Sequence, residues 1–240
     1  GVGGEGSQTI AGRQGGIPYI VADSFTIPAD LSAVNITLKS SNGSNVAPLR
    51  QGDAGVNTVI IGGIEGTISI EQDDYLSSNY SYKSTRKEMG EAINIEAGTE
   101  IITNASRNNS NHTLIIWMGQ NGGYNEDANI LIEQYRSMIN KNGNDNYIII
   151  GIPTGTKDSR SELETAMKNA FGNKYINIRE YMTKPIYEND ILISCQALQD
   201  CNLTATDEDL QLIEQGTIPA TLRTDSIHGN SFYYTIVAQQ

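Results

Sequence analysis

Residues 112–152 read HTLIIWMGQNGGYNEDANILIEQYRSMINKNGNDNYIIIGI, and the parsing of this stretch decides the fold. His112 to Met118 is a short apolar run ending on glycine, which predicts a strand. Beyond it Ile130, Leu131, Tyr135, Met138 and Ile139 recur at helical spacing, so a helix is expected over about Glu126 to Asn140, with Lys141-Asn142-Gly143 as its stop. Asn146 to Ile152 is a second strand-sized apolar run. Strand, helix and strand in succession predict a parallel crossover.

Toward the C-terminus the alternation continues, with a helix expected at about Ser159 to Phe171 and a short strand at Tyr175 to Ile178. Toward the N-terminus the texture changes. From about Tyr19 to Thr103, short β-branched runs (Val34 to Leu38, Val56 to Ile61, Gly66 to Ile70, Ile93 to Ile95, Glu100 to Thr103) are separated by turn residues such as Asn42-Gly43, Gly52-Asp53 and Gly62-Gly63. This segment reads as an all-β module. Ser7 to Arg13 is a candidate short helix entered by the glycine-rich Gly1 to Gly6. The expected fold class is therefore α/β: a flavodoxin-like parallel sheet with helices on both faces, built from residues 1–17 and 106–240, with a β-rich module, 18–105, inserted.

Composition narrows the function classes. With 28 acidic against 16 basic residues the formal charge is −12, which repels a phosphate backbone, so no nucleic-acid partner is expected. The same field disfavours strongly anionic substrates relative to neutral ones. The longest apolar runs are strand-sized, so no membrane span is expected. Cys195 and Cys201 are the only cysteines. They allow one local disulfide or two free thiols, and a metal site would need other ligands.

Three segments have the residue types that chemistry needs. Gly1-Val-Gly-Gly-Glu-Gly-Ser is a glycine-rich turn whose backbone N–H groups, ahead of a helix, suit an anion or a developing oxyanion. Trp117-Met-Gly-Gln-Asn-Gly-Gly follows the first strand of the α/β region, at the sheet edge where ligands bind in open α/β folds, and leaves the Asn121 amide available. Arg223-Thr-Asp-Ser-Ile-His-Gly-Asn sets Asp225 three residues before His228, a spacing that lets the carboxylate fix the imidazole tautomer. Each segment also has a plain structural reading, as a loop, a capped turn or a helix cap.

Taken in order, the three segments resemble the SGNH (GDSL-type) serine ester hydrolases. In that family the second block is glycine-bearing like Gly1 to Ser7, the third ends in Gly-x-Asn like Gly119-Gln-Asn121, and the fifth is Asp-x-x-His like Asp225-Ser-Ile-His228. The resemblance covers residues 1–16 and about 112–240. It implies acyl-enzyme chemistry without metal or organic cofactor. His228 is then the base, Asp225 its orienting carboxylate, and the Gly4 N–H and Asn121 amide the oxyanion donors. The implied substrate is an acylated carbohydrate, with acetyl as the acyl group, or another small ester.

The family's first block, Gly-Asp-Ser with the nucleophile, precedes the glycine block. The serine and the first strands of the sheet are accordingly expected ahead of Gly1: in residues not recorded, in a docked cleaved peptide, or on a partner chain. Ser159, Ser194 and Ser226 do not sit on a strand-to-helix turn ahead of the glycine block. The β module would wall the crevice or bind glycan, with Tyr75, Tyr80 and Tyr82 as stacking candidates. The alternative reading is an inactive SGNH-fold protein that binds glycan or serves a structural role at a cell or virion surface. Both readings favour an extracellular or surface setting.

Overall fold

The structure, a computed structural model, describes residues 4–44, 46, 55–72, 80–108 and 111–240. Gly1 to Gly3 of the glycine block, the Gly52-Asp53 turn and Tyr75 lie outside the described residues. Two compact units divide the chain, Gly1–Leu114 with Glu133–Asn146, and Ile115–Ile132 with Tyr147–Gln240. The strand-rich segment 18–105 lies wholly within the first.

The first unit opens with helix α1 (Ser7–Gln14) and continues through nine strands. These are β1 (Tyr19–Val21), β2 (Phe25–Ile27), β3 (Val34–Ile36), β4 (Leu38–Ser40), β5 (Val59–Ile61), β6 (Ile64–Gln72), β7 (Tyr80–Arg86), β8 (Ile93–Ile95) and β9 (Glu100–Ile102). A short helix α2 (Asn104–Asn108) follows. Seven strands form one sheet in the order β3-β7-β6-β5-β9-β1-β4, with antiparallel neighbours. Gly62 and Gly63, at φ 58° and 83°, make the two-residue turn between β5 and β6, a type I′ geometry that needs positive φ at both positions. Only Thr37 separates β3 from β4, the two outermost strands. With about 3.8 Å between consecutive Cα atoms, the sheet must curl until its edges meet. Its concave side holds Tyr19, Val21, Ile27, Ile36, Val59, Ile61, Ile68, Tyr82, Ile95 and Ile101 as one core, and burial of each such side chain contributes about 1.5–3 kcal/mol.

Helix α1 is seated by close packing. A Cβ at Gly12 would come within 2.5 Å of the Tyr19 ring, whose hydroxyl donates to the Thr9 carbonyl at 3.2 Å. Arg13 grips Glu5 through two hydrogen bonds of 3.0 and 2.7 Å, which raises its pKa.

The second unit contains the strand–helix alternation. Strand β10 (Leu114–Trp117) enters it from the first unit, followed by α3 (Ala128–Asn142, shared between the units), β11 (Tyr147–Ile150), α4 (Lys157–Phe171) and β12 (Tyr175–Ile176). The three strands lie in the order β10-β11-β12, and β11 and β12 run parallel. Thr156 starts α4 with a reciprocal capping box to Ser159. The chain then leaves the parallel pattern for α5 (Ile178–Met182), the antiparallel hairpin β13 (Pro185–Glu188) and β14 (Ile191–Cys195), α6 (Gln196–Asp200), α7 (Asp207–Glu214) and α8 (Ser231–Gln239). Asn189 and Asp190, at φ 49° and 64°, make the hairpin turn without glycine. Ile178, Met182, Cys195, Leu198, Ile213, Leu222 and Ile236 form the core. Cys195 and Cys201 are free thiols.

This architecture corrects the expected fold class. The flavodoxin-like parallel sheet with helices on both faces does not form. The largest sheet is antiparallel with seven strands, and the parallel one has three. The cause is local on both sides. Short strands linked by tight turns can only pair antiparallel in β1 to β9, and after β12 a two-residue turn folds β14 back on β13 where another crossover would be required. Among the described residues no helix is long and apolar enough to cross a membrane.

Candidate functional site

The segment 223–230 is a tight loop closed on itself. The Thr224 N–H donates to the His228 carbonyl (2.8 Å) and the Asn230 N–H to the Leu222 carbonyl (3.0 Å), which brackets an isolated antiparallel bridge between Arg223 and Gly229. Within it Asp225 Oδ1 accepts the N–H groups of Ile227 and His228, both at 2.7 Å. Asp225 Oδ2 lies 2.8 Å from His228 Nδ1. The carboxylate therefore cannot swing away, and it holds the proton on Nδ1 so that Nε2 is left as the acceptor. The His228 and Asp225 side chains are 68% and 54% exposed. The His228 N–H, the His228 ring and the Ile227 N–H hold the Asp225 carboxyl well down, at about 2.

Both ends of the loop are anchored in the core. Asn230 caps α8, its Oδ1 accepting from the N–H groups of Phe232 (3.0 Å) and Tyr233 (3.3 Å), while its Nδ2 donates to the Thr221 carbonyl at 2.8 Å. Thr221 in turn donates its N–H (3.0 Å) and hydroxyl (2.6 Å) to the buried Asp209 of α7. Asp209 also accepts from the Thr206 N–H and hydroxyl, at 3.0 and 2.8 Å. Burial pushes the Asp209 carboxyl up, and the bonds from Thr221 and Thr206 outweigh it, leaving its pKa lowered. Sequence reasoning missed Asp209 and Asn230. The capping signature Thr206-x-x-Asp209 was the available signal for the first.

Asn121 lies on the turn that follows β10, closed by the Gly122 N–H donating to the Gly119 carbonyl at 3.0 Å. Gly119 needs its φ of 101°, and a Cβ there would stand 3.0 Å from Ile152. Asn121 is exposed, and its neighbour Gln120 accepts from the Thr154 hydroxyl at 2.9 Å, which ties the end of β10 to the end of β11. The Trp117 ring, at the end of β10, stacks on Tyr233 of α8 with centroids 6.3 Å apart and planes 11° from parallel. Strand end and His228-bearing loop are thus joined through α8.

Gly4 is exposed at φ 72° and belongs to the first unit, whereas Asn121, Asp225 and His228 belong to the second. Of the four predicted residues, Asp225 and His228 are in direct contact. Tyr80 and Tyr82 meet edge to face at 5.7 Å and both donate to the Val46 carbonyl; Tyr82 is buried in the β core. Among the described residues no three His, Cys, Asp or Glu side chains gather as a metal site would require. Comparison with protein-family models, with curated proteins and with solved structures finds no match to this chain.

Proposed function

We propose that the protein is a serine ester hydrolase that removes acyl groups, acetyl foremost, from carbohydrate through an acyl-enzyme. The observation that carries this reading is the Asp225–His228 pair, with one carboxylate oxygen fixed by two backbone N–H groups and the other on Nδ1 at 2.8 Å. That arrangement does what a general base of this class needs: it sets the tautomer, aims the ring and stabilises the imidazolium.

In the first half-reaction, Nε2 of His228 takes the proton of a serine hydroxyl as Oγ bonds to the ester carbonyl carbon. The imidazolium then returns that proton to the leaving sugar oxygen as the ester C–O bond breaks. Water attacks the acyl-enzyme in the second half-reaction, losing its proton to Nε2, and the acid leaves as the proton returns to Oγ. The serine is that of the family's Gly-Asp-Ser block, which the resemblance puts ahead of the glycine block, and the Asn121 amide is the proposed oxyanion donor.

The test is covalent labelling of the full-length protein with a fluorophosphonate, read by intact and peptide mass. One adduct on a serine, suppressed in His228→Ala, supports the reading. The absence of any adduct refutes it.

A further inference from the structure

Arg223 opens the loop that holds Asp225 and His228, and its guanidinium is treated unlike the other partly buried arginines. Arg13 pairs with Glu5. Arg179 bonds Glu164 and the Gly216 carbonyl, and Arg86 bonds the carbonyls of Pro28, Glu88 and Glu91. Arg223 Nε is buried yet meets no hydrogen-bond acceptor among the described residues, in a chain with 28 carboxylate side chains. A buried donor without an acceptor loses its water and gains nothing in return, so native structures keep few of them.

Its position is defined by the bridge. Arg223 and Gly229 oppose each other between two flanking backbone hydrogen bonds, the close type of antiparallel pair, whose side chains share a face. On that face a Cβ at Gly229 would lie 2.2 Å from Tyr233 Cγ. The Tyr233 ring therefore fills the space opposite Arg223, and five residues, Thr224 to His228, separate the bridging positions.

Nε and the neighbouring Nη of a guanidinium form an edge that matches the two oxygens of a carboxylate. We infer that Arg223 is a carboxylate-binding subsite beside the Asp225–His228 pair, which makes the substrate an O-acylated uronic acid residue; this rests on the ester-hydrolase reading. The net charge of −12 is no obstacle at contact distance, because fields from exposed charges are screened beyond about 8 Å at physiological ionic strength. It does favour a singly charged carboxylate over a doubly charged phosphate.

The full-length protein is assayed on acetylated methyl glucuronate and acetylated methyl glucoside, which differ at the carboxylate. A charge-assisted bidentate contact predicts a kcat/KM ratio of about 10- to 100-fold in favour of the uronate, falling toward one in Arg223→Gln and kept in part in Arg223→Lys. A wild-type ratio at or below one, or a ratio unchanged in Arg223→Gln, overturns the inference. A second readout does not depend on catalysis. The Arg223 Nε–H resonance, assigned by its loss in Arg223→Lys, shifts on titration with methyl glucuronate and stays put with methyl glucoside; equal shifts or none overturn the inference, as does a larger response to glucose 6-phosphate. If His228→Ala hydrolyses both esters like the wild type, the ester-hydrolase reading fails, and the titration still decides the subsite.

Discussion

Asp225 Oδ2 lies 2.8 Å from His228 Nδ1 while the other carboxylate oxygen is held by two backbone N–H groups of the same loop. Asp225→Asn keeps an acceptor for the backbone and turns an amide donor or a weaker acceptor toward Nδ1. Control of the tautomer is lost, so turnover is expected to fall by roughly 10⁴-fold with folding unchanged, as read by steady-state kinetics beside far-UV circular dichroism. A fall below tenfold contradicts the assigned role.

The pH dependence follows from the same contacts. The Asp225 pKa is depressed to about 2 from an ordinary 3.8, so its contribution to loop stability is complete above about pH 4 and disappears as pH falls through about 2. An acid limb in activity at higher pH then belongs to the imidazole. Carbon-detected titration of the Asp225 carboxyl should place its midpoint near 2; a midpoint above 4 would show that the three bonds do not form in solution.

Asp209 anchors the loop from beneath. Asp209→Ala strips the N–H and hydroxyl of Thr221 and of Thr206 of their shared acceptor, and a loss of roughly 2–4 kcal/mol is expected, measured by denaturant unfolding. Because its pKa is lowered, the wild type should lose this contribution only as pH drops below the ordinary carboxylate range. A variant as stable as the wild type at neutral pH would contradict the anchoring role.

How far the sequence revealed all this depends on contact range. Asp225 and His228 were legible because three residues separate them and one turn brings them together. Asp209 and Thr221, or Thr221 and Asn230, meet only after α7 and the following turn have folded, and no local period signals that. Strands β10, β11 and β12 were legible from alternation with helices, whereas the number of strands that join them was not. The β13–β14 hairpin escaped because Asn189-Asp190 makes its turn without glycine. The curling of the large sheet depends on the one-residue link at Thr37, which reads in sequence as the middle of a single run, Val34 to Leu38.

Asn230 combines a helix cap with a bond to the Thr221 carbonyl. Asn230→Ala is expected to lower stability by about 1–2 kcal/mol and to reduce kcat, because the loop end is released. Asn230→Asp keeps the cap and loses the amide donor, so it should recover most of the stability. Equal losses in the two variants would assign the effect to the Thr221 bond alone.

Asn121→Ala addresses the oxyanion proposal. Loss of one such donor reduces kcat by about 10²–10³ with little change in KM, and since Asn121 is exposed on a turn stability should be unaffected. A change in KM alone would make Asn121 a ground-state binding group.

The central claim is that His228 is a catalytic base, and hydrolysis of p-nitrophenyl acetate by the full-length protein and its His228→Ala variant at matched folding tests it most directly. Hydrolysis well above the buffer rate that falls to that rate in the variant is the expected result. Equal rates for the two proteins would contradict it and leave the Asp225–His228 pair as a loop-closing contact.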